Sequence, residues 1–226
     1  MAAPGHLVNA GTVRRQAAAL HAPLVDLATV DLGVLATVRD RMIARHGRER
    51  VDRAVTPRDF ARYAWVLMRT PPGSLLDVGC SHGIYLDAAY EAGMRDLAGI
   101  DRRIGWLADL AELRRVWTPY VGEATALPFG DASWDTVSAM EILEHQAGGA
   151  MEAALAELRR VARHRLLITV PLCQARIPSG GHVQRFCADR LNALFPTALF
   201  TVLDKGPGAA YPWVLIDETV DVPRET

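Results

Sequence analysis

The sequence predicts an α/β fold: a mostly parallel sheet with helices on both faces. Two observations carry this. From Ser74 onward, short apolar runs alternate with segments of helical period, the pattern of strands joined by crossover helices. The first of those runs ends in an acid and leads into a glycine-rich turn, Asp77-Val78-Gly79-Cys80-Ser81-His82-Gly83. Composition agrees, with 226 residues, half of them hydrophobic and 23% charged, enough to build a core and to exclude wholesale disorder.

Residues 1–72 show no strong strand pattern and read as an N-terminal helical cap, with residues 73–226 as the main domain. Within the cap, Leu24, Leu27, Leu32, Leu35, Val38 and Ile43 recur at helical spacing between Gln16 and Arg45. Thr70-Pro71-Pro72-Gly73 ends the helical segment. Ser74–Val78 is a buried strand, Gly83–Ala92 a helix, and Leu97–Ile100 a second strand ending in Asp101. A helix over Ile104–Val116 and a third strand over Trp117–Val121 follow. Asp135–Met140 is a fourth strand, Gly149–His164 a helix, and Arg165–Val170 a fifth strand stopped by Pro171. Leu199–Leu203 and Trp213–Ile216 form two last strands, joined by the Gly206-Pro207-Gly208 turn.

Several function classes fall away on composition. The net charge of −1 argues against a dedicated nucleic-acid binder. Three scattered cysteines, Cys80, Cys173 and Cys187, form no disulfide framework and suit a reducing, cytoplasmic compartment. No apolar run approaches a membrane span, and MAAPGHLVNAGTVRR lacks the pattern of a signal peptide. All but one of the basic residues are Arg; Lys205 is the single lysine. Residues 39–62 carry eight Arg against four acids, either a solvated helical face or a positive rim near an anionic substrate.

Three chemistries use a turn of this kind. A dinucleotide fold wants Gly-x-Gly-x-x-Gly, and Ser81 and Ile84 break that pattern. Gly79-Cys80-Ser81-His82-Gly83 matches a serine-hydrolase elbow literally, but it follows the first strand and no oxyanion-loop glycines precede it. The third is an adenosyl-cofactor turn, acid-x-Gly-x-Gly-x-Gly, with Asp77, Gly79 and Gly83 in place and Ser81 at the middle glycine. Its glycines allow close backbone approach, and the next helix offers free N–H groups to a carboxylate.

On these residues the sequence resembles the class I S-adenosylmethionine-dependent methyltransferases, in particular the small type 11 branch, over about residues 74–200. Further motifs carry the likeness: Gly122-Glu123-Ala124 through Leu127-Pro128-Phe129, Asp131-Ala132-Ser133-Trp134-Asp135, and Met140-Glu141-Ile142-Leu143-Glu144-His145. The resemblance implies a Rossmann-like, doubly wound sheet of seven strands. It implies S-adenosylmethionine held by Asp77, Gly79, Cys80, Ser81 and Gly83 at its methionine portion. Asp101 and Arg102 would take the ribose, Glu123 and Ala124 the adenine, with Glu141 beside them. Ser81 and Glu123 depart from the family's glycine and aspartate.

Glu141, Glu144 and His145, spaced i, i+3, i+4, share one face if a helix starts there, and His182 follows the fifth strand. Two carboxylates and two imidazoles suit a divalent ion, Mg or Zn. The set is similar to the metal site of ubiquinone-pathway O-methyltransferases and small-RNA 2′-O-methyltransferases. Without metal, the same groups cap a helix or line the pocket, and His145 or His182 is the candidate general base. Tyr63 and Trp65 are candidates to close over the substrate. His82 reads as a filler of the turn, Cys80 as packed on the sheet, and Trp213 as core.

The implied activity is methyl transfer to a small molecule, at oxygen. A cofactor-binding relative without methyl transfer and a serine hydrolase are the alternatives.

Overall fold

The computed structural model describes residues 9–103, 116–172, 181–206, 209 and 211–220. Strands and helices alternate around one mixed sheet of eight strands, in the order β1-β7-β8-β6-β5-β2-β3-β4. The strands are β1 (Leu24–Asp26), β2 (Leu75–Val78), β3 (Leu97–Asp101), β4 (Thr118–Val121), β5 (Trp134–Met140), β6 (Ala162–Pro171), β7 (Leu199–Asp204) and β8 (Trp213–Thr219). All neighbours pair in parallel except β8, which runs antiparallel to β6 and β7. The sheet is thus the expected mostly parallel, doubly wound α/β architecture, with one strand more than the seven expected.

The extra strand is β1. Three residues with an exposed, half-buried, exposed pattern give no readable period; pairing with Val202–Asp204 at the sheet edge creates the strand. The helical reading of Gln16–Arg45 is corrected accordingly. That stretch divides into α1 (Ala10–Ala19), β1, a 3₁₀ turn at Leu27–Thr29 and α2 (Val34–His46), with Gly33 at positive φ before α2. The helix expected over Gly149–His164 is also shorter. It becomes α6 (Ala150–Val161), because Ala162 already pairs with Trp134 and opens β6. Pro171 closes β6 from within, opposite Trp213. The helix expected over Ile104–Val116 falls on residues outside the described ones apart from Val116, as do Pro207 and Gly208 of the last turn.

Remaining helices are α3 (Arg48–Ala54), α4 (Pro57–Leu67), α5 (Ile84–Glu91) and α7 (Ala188–Leu194). Thr56 and Asp59 form a capping box at the start of α4, with Pro57 in its first turn. Strand alternation sends Leu76, Val78, Val137, Ile168 and Val214 to one face, under α6, α7 and α1. Leu75, Leu97, Leu167 and Leu215 go to the other, against Ala61, Tyr85 and Leu86 of α4 and α5. Leu35, Val38, Val51, Phe60 and Ile84 form a third cluster that seats α2–α4 on α5. The N-terminal segment therefore reaches one sheet face, one sheet edge and the back of α5. Among the described residues, no helix is long and apolar enough to cross a membrane.

β2 lies between β3 and β5, so the chain departs to opposite sides of it. In open α/β sheets the crevice at the carboxyl ends of such strands is where ligands bind.

Candidate functional site

Asp77 sits in the centre of the sheet, nearly sealed from solvent, and accepts a hydrogen bond from Ser138 Oγ at 2.7 Å. Burial raises its pKa to about 7, against the lowering effects of Ser138 and Arg62. After it the backbone turns sharply. The amides of Gly79 and Cys80 both donate to Ile100 O, and Gly83 N donates to Cys80 O. Gly79 and Gly83 have positive φ, and the surroundings allow no side chain at either. A Cβ would lie 1.9 Å from Ile142 Cδ1 at Gly79 and 2.1 Å from Trp117 Cζ2 at Gly83.

Ser81 also has positive φ, 49°. Its amide donates to Asp101 Oδ2 at 3.1 Å, while Arg103 N donates to Asp101 Oδ1 at 2.9 Å. The acid at the end of β3 thus braces the turn after β2. Arg102, between these contacts, is exposed. Cys80 is buried, its Sγ against Gly99, and burial pushes its thiol far up, so a nucleophilic thiolate is disfavoured. Pairing of β3 with β4 sets Val121 beside Asp101, and Gly122 N donates to Asp101 O. Glu123, exposed, and Ala124, half-buried, follow directly.

A cavity of about 460 Å³ opens beside the turn. Its lining brings Cys80, Ser81 and His82 of the turn together with Val55, Asp59, Arg62 and Tyr63 from the α3–α4 region, and with Glu141 and Trp213. Its size falls among small-molecule sites. Asp101, Glu123 and Ala124 are not in its lining; they flank the turn beyond Ser81. Of the two aromatic residues expected to close over a substrate, Tyr63 lines the cavity. Trp65 lies instead under the Arg69 guanidinium, 3.8 Å from its ring centre, outside the lining.

The run after β5 departs from the expected helix. Glu141 adopts φ 59°, and the next residues form only a 3₁₀ turn, Leu143–His145. Glu141 therefore does not share a helical face with Glu144 and His145. Its carboxylate accepts from Trp213 Nε1 at 2.7 Å and Thr169 Oγ1 at 3.3 Å, and pairs with Arg62 Nη1 at 3.5 Å. Glu144, His145 and His182 do converge, with ligand atoms all within 4.8 Å of one another. Glu144 is fully buried; by geometry neither oxygen has a hydrogen-bond partner among the described residues, and its carboxyl lies against that of Glu141. Burial, then the charge of Glu141, raises Glu144 well above the usual carboxylate range. Such a group needs a proton or a cation. His145 Nδ1 lies 3.1 Å from Gly181 O; since a carbonyl only accepts, Nδ1 donates, and in the neutral ring Nε2 is then the acceptor. The His145 and His182 rings meet edge to face at 4.7 Å. Burial, then His145 and Lys205, lowers the pKa of His182.

Arg62 belongs to the Arg-rich run that the sequence left open as a positive rim, whereas Trp213 and Lys205 have no local sequence signal for the cavity region. Arg62 is a buried cation on α4, 4.2 Å from the Trp213 ring centre and 5.1 Å from that of Tyr63. Lys205 Nζ sits 4.0 Å from the Trp213 ring centre and 3.9 Å from that of Tyr211. Their surroundings come together only through tertiary packing.

A family model described as Methyltransferase domain matches residues 76–167, from β2 into β6. Comparison with curated proteins gives no match. Among solved structures, the complex of the Haloferax volcanii Trm112 methyltransferase activator with a putative methyltransferase matches with TM-score 0.59 and 18% identity, over 84% of this chain and 100% of that one. The YcgJ protein of Bacillus subtilis matches with TM-score 0.58 and 14% identity, over 71% and 98%. Magnesium protoporphyrin IX methyltransferase of Synechocystis, with bound S-adenosylhomocysteine, matches with TM-score 0.52 and 17% identity, over 71% and 81%. At these identities the structural likeness speaks for the fold.

Proposed function

We propose, from the match of residues 76–167 to a methyltransferase-domain model, that the chain is a class I S-adenosylmethionine-dependent methyltransferase acting on a small molecule at oxygen. The observation that carries the proposal is the turn after β2, braced by Asp101 and too tight at Gly79 and Gly83 for any side chain. The turn fits the cofactor: α5 starts directly after Gly83, and no side chain caps its first amides.

In this reading Asp77, Gly79, Cys80, Ser81 and Gly83 hold the methionine portion of the cofactor. Asp101 with Arg102 takes the ribose, Glu123 with Ala124 the adenine, and Glu141 borders the transfer site. The bound cofactor supplies an activated sulfonium methyl. The protein's share is to align the acceptor oxygen, exclude water and receive a proton. Tyr63 and Trp213 wall the cavity, and His145, with Nε2 unprotonated, or His182 takes the proton. The free thiols of Cys80 and Cys187 suit a cytoplasmic enzyme.

A metal-assisted variant of this mechanism rests on Glu144. A buried carboxylate without a hydrogen-bond partner, beside two imidazoles, is a fitting donor set for a divalent ion. Glu144, His145 and His182 would hold the ion, which would lower the pKa of a bound acceptor hydroxyl. Glu141, directed to Trp213 and Arg62, drops out of the first-choice ligand set.

Calorimetric titration with S-adenosylhomocysteine in magnesium buffer tests the proposal. Binding of one equivalent per chain in the micromolar range is expected. No binding, together with labelling of Ser81 by a fluorophosphonate, would favour the hydrolase reading of the same turn. Binding without methyl transfer to any of a panel of hydroxylated acceptors would favour a relative that uses the cofactor otherwise.

A further inference from the structure

Arg62 is the feature that the cofactor turn leaves unexplained. It is 4% exposed and lines the cavity. A guanidinium has five N–H donors. Its polar neighbours are Asp59 at 3.3 Å, Glu141 at 3.5 Å and the Tyr63 hydroxyl. Among the described residues, Nε and Nη1 have no hydrogen-bond partner. Leaving donors of a buried cation unmade is costly, and an anion in the cavity would satisfy them.

A second cation stands on the same indole. The Lys205 ammonium and the Arg62 guanidinium both lie close to the Trp213 ring, and Lys205 also covers Tyr211. The aromatic faces that would attract a cationic acceptor are thus already occupied by the protein's own cations. Burial pulls the Lys205 ammonium down to about 8, with Glu141 and Asp59 opposing the shift and Arg62 and Arg58 adding to it.

We propose that Arg62 and Lys205 form a carboxylate-recognition site and that the methyl acceptor is a small organic acid. The inference rests on the methyltransferase reading for the identity of the acceptor, but the anion site stands on its own geometry. The cofactor also carries a carboxylate. In the proposed reading the amides at the start of α5 serve that one, whereas Arg62 pairs with Glu141 and lies on the Trp213 ring.

The test is calorimetric titration of the full chain, saturated with S-adenosylhomocysteine, with benzoate, and with benzamide and benzylamine as neutral and cationic controls. Benzoate should bind saturably and at least about tenfold more tightly than either control. Lys205→Met and Arg62→Met should each weaken benzoate by about tenfold or more, with S-adenosylhomocysteine binding held within about threefold. Arg62→Lys should recover part of the loss. Lys205 is only half-buried, so its variant remains informative if Arg62→Met fails to fold. Equal binding of benzoate and benzamide, or benzoate binding unchanged in Lys205→Met, would overturn the proposal. So would an Arg62→Met variant that loses S-adenosylhomocysteine but keeps benzoate, since the guanidinium then serves the cofactor. Failure of the wild type to bind S-adenosylhomocysteine strikes the methyltransferase reading instead, and benzoate titration of the unloaded protein then judges the anion site alone.

Discussion

The amide of Ser81 donates to Oδ2 of Asp101 at 3.1 Å, tying the turn after β2 to the end of β3. The bond is made by the backbone, so it survives any side chain at position 81. What the side chain adds is strain, because a φ of 49° is unfavourable for a residue with a Cβ. Ser81→Gly is therefore expected to raise unfolding stability by up to about 1 kcal/mol, read by urea denaturation. Affinity for S-adenosylhomocysteine should change by less than about threefold. A tenfold loss would show instead that the Ser81 hydroxyl contacts the ligand.

Gly79 faces Ile142 with no room for a methyl group, the nearest side-chain carbon lying 1.9 Å from where a Cβ would stand. Gly79→Ala must push Ile142 aside and hold an L-residue at φ 75°. Because Ile142 follows Glu141, the displacement reaches the lining of the cavity. Expected outcomes are a destabilisation of about 1–3 kcal/mol and at least a tenfold loss of S-adenosylhomocysteine affinity. Thermal unfolding and calorimetry read the two effects separately.

Asp77 gives a pH signature with a definite sign. Its pKa of about 7 in the folded protein stands above the ordinary value of 3.8. The folded state therefore binds the extra proton between those values, and stability falls as pH rises through that window. Above about pH 7 the penalty of the buried carboxylate is fully present; below about pH 4 it is absent. Asp77→Asn should stabilise the ligand-free protein at pH 8 by on the order of 2 kcal/mol, with the gain gone by pH 4. The same variant should lose cofactor affinity. Equal unfolding curves for variant and wild type at pH 8 would contradict this.

Glu144, His145 and His182 predict a metal response. If the buried carboxylate is matched by an ion, added Zn²⁺ or Mg²⁺ should raise the melting temperature of the wild type by several degrees. His145→Ala and Glu144→Gln should abolish that rise, and Glu141→Gln should retain much of it. Elemental analysis of purified protein gives an independent readout. A wild-type melting temperature indifferent to both ions would leave Glu144 to be satisfied by a proton, with His145 as base.

Much of the sheet was legible because its central strands are buried on both faces. Leu75–Val78 and Leu97–Asp101 are sealed from end to end, and such strands must be written as short apolar runs. The turn was legible for a related reason: positive φ and absent space at Gly79 and Gly83 demand glycine whatever the ligand. β1 was not, since three edge residues become a strand only when β7 is there to pair with them.

The side chains around the turn divide along the same line. That Asp101 braces the turn at Ser81 follows once β2 and β3 lie side by side, because adjacent parallel strands place their carboxyl ends together. Local sequence could not determine that Glu141 would reach Trp213 while lying against Glu144, a choice made by a positive φ and an indole 72 residues later. Nor could it bring Arg62 of α4 and Lys205 beyond β7 onto one ring. Their partnership depends on which helix covers which face and on β8 returning antiparallel beside β6. Short-range spacing encodes backbone geometry and burial; the meeting of distant charges is decided by how the layers pack.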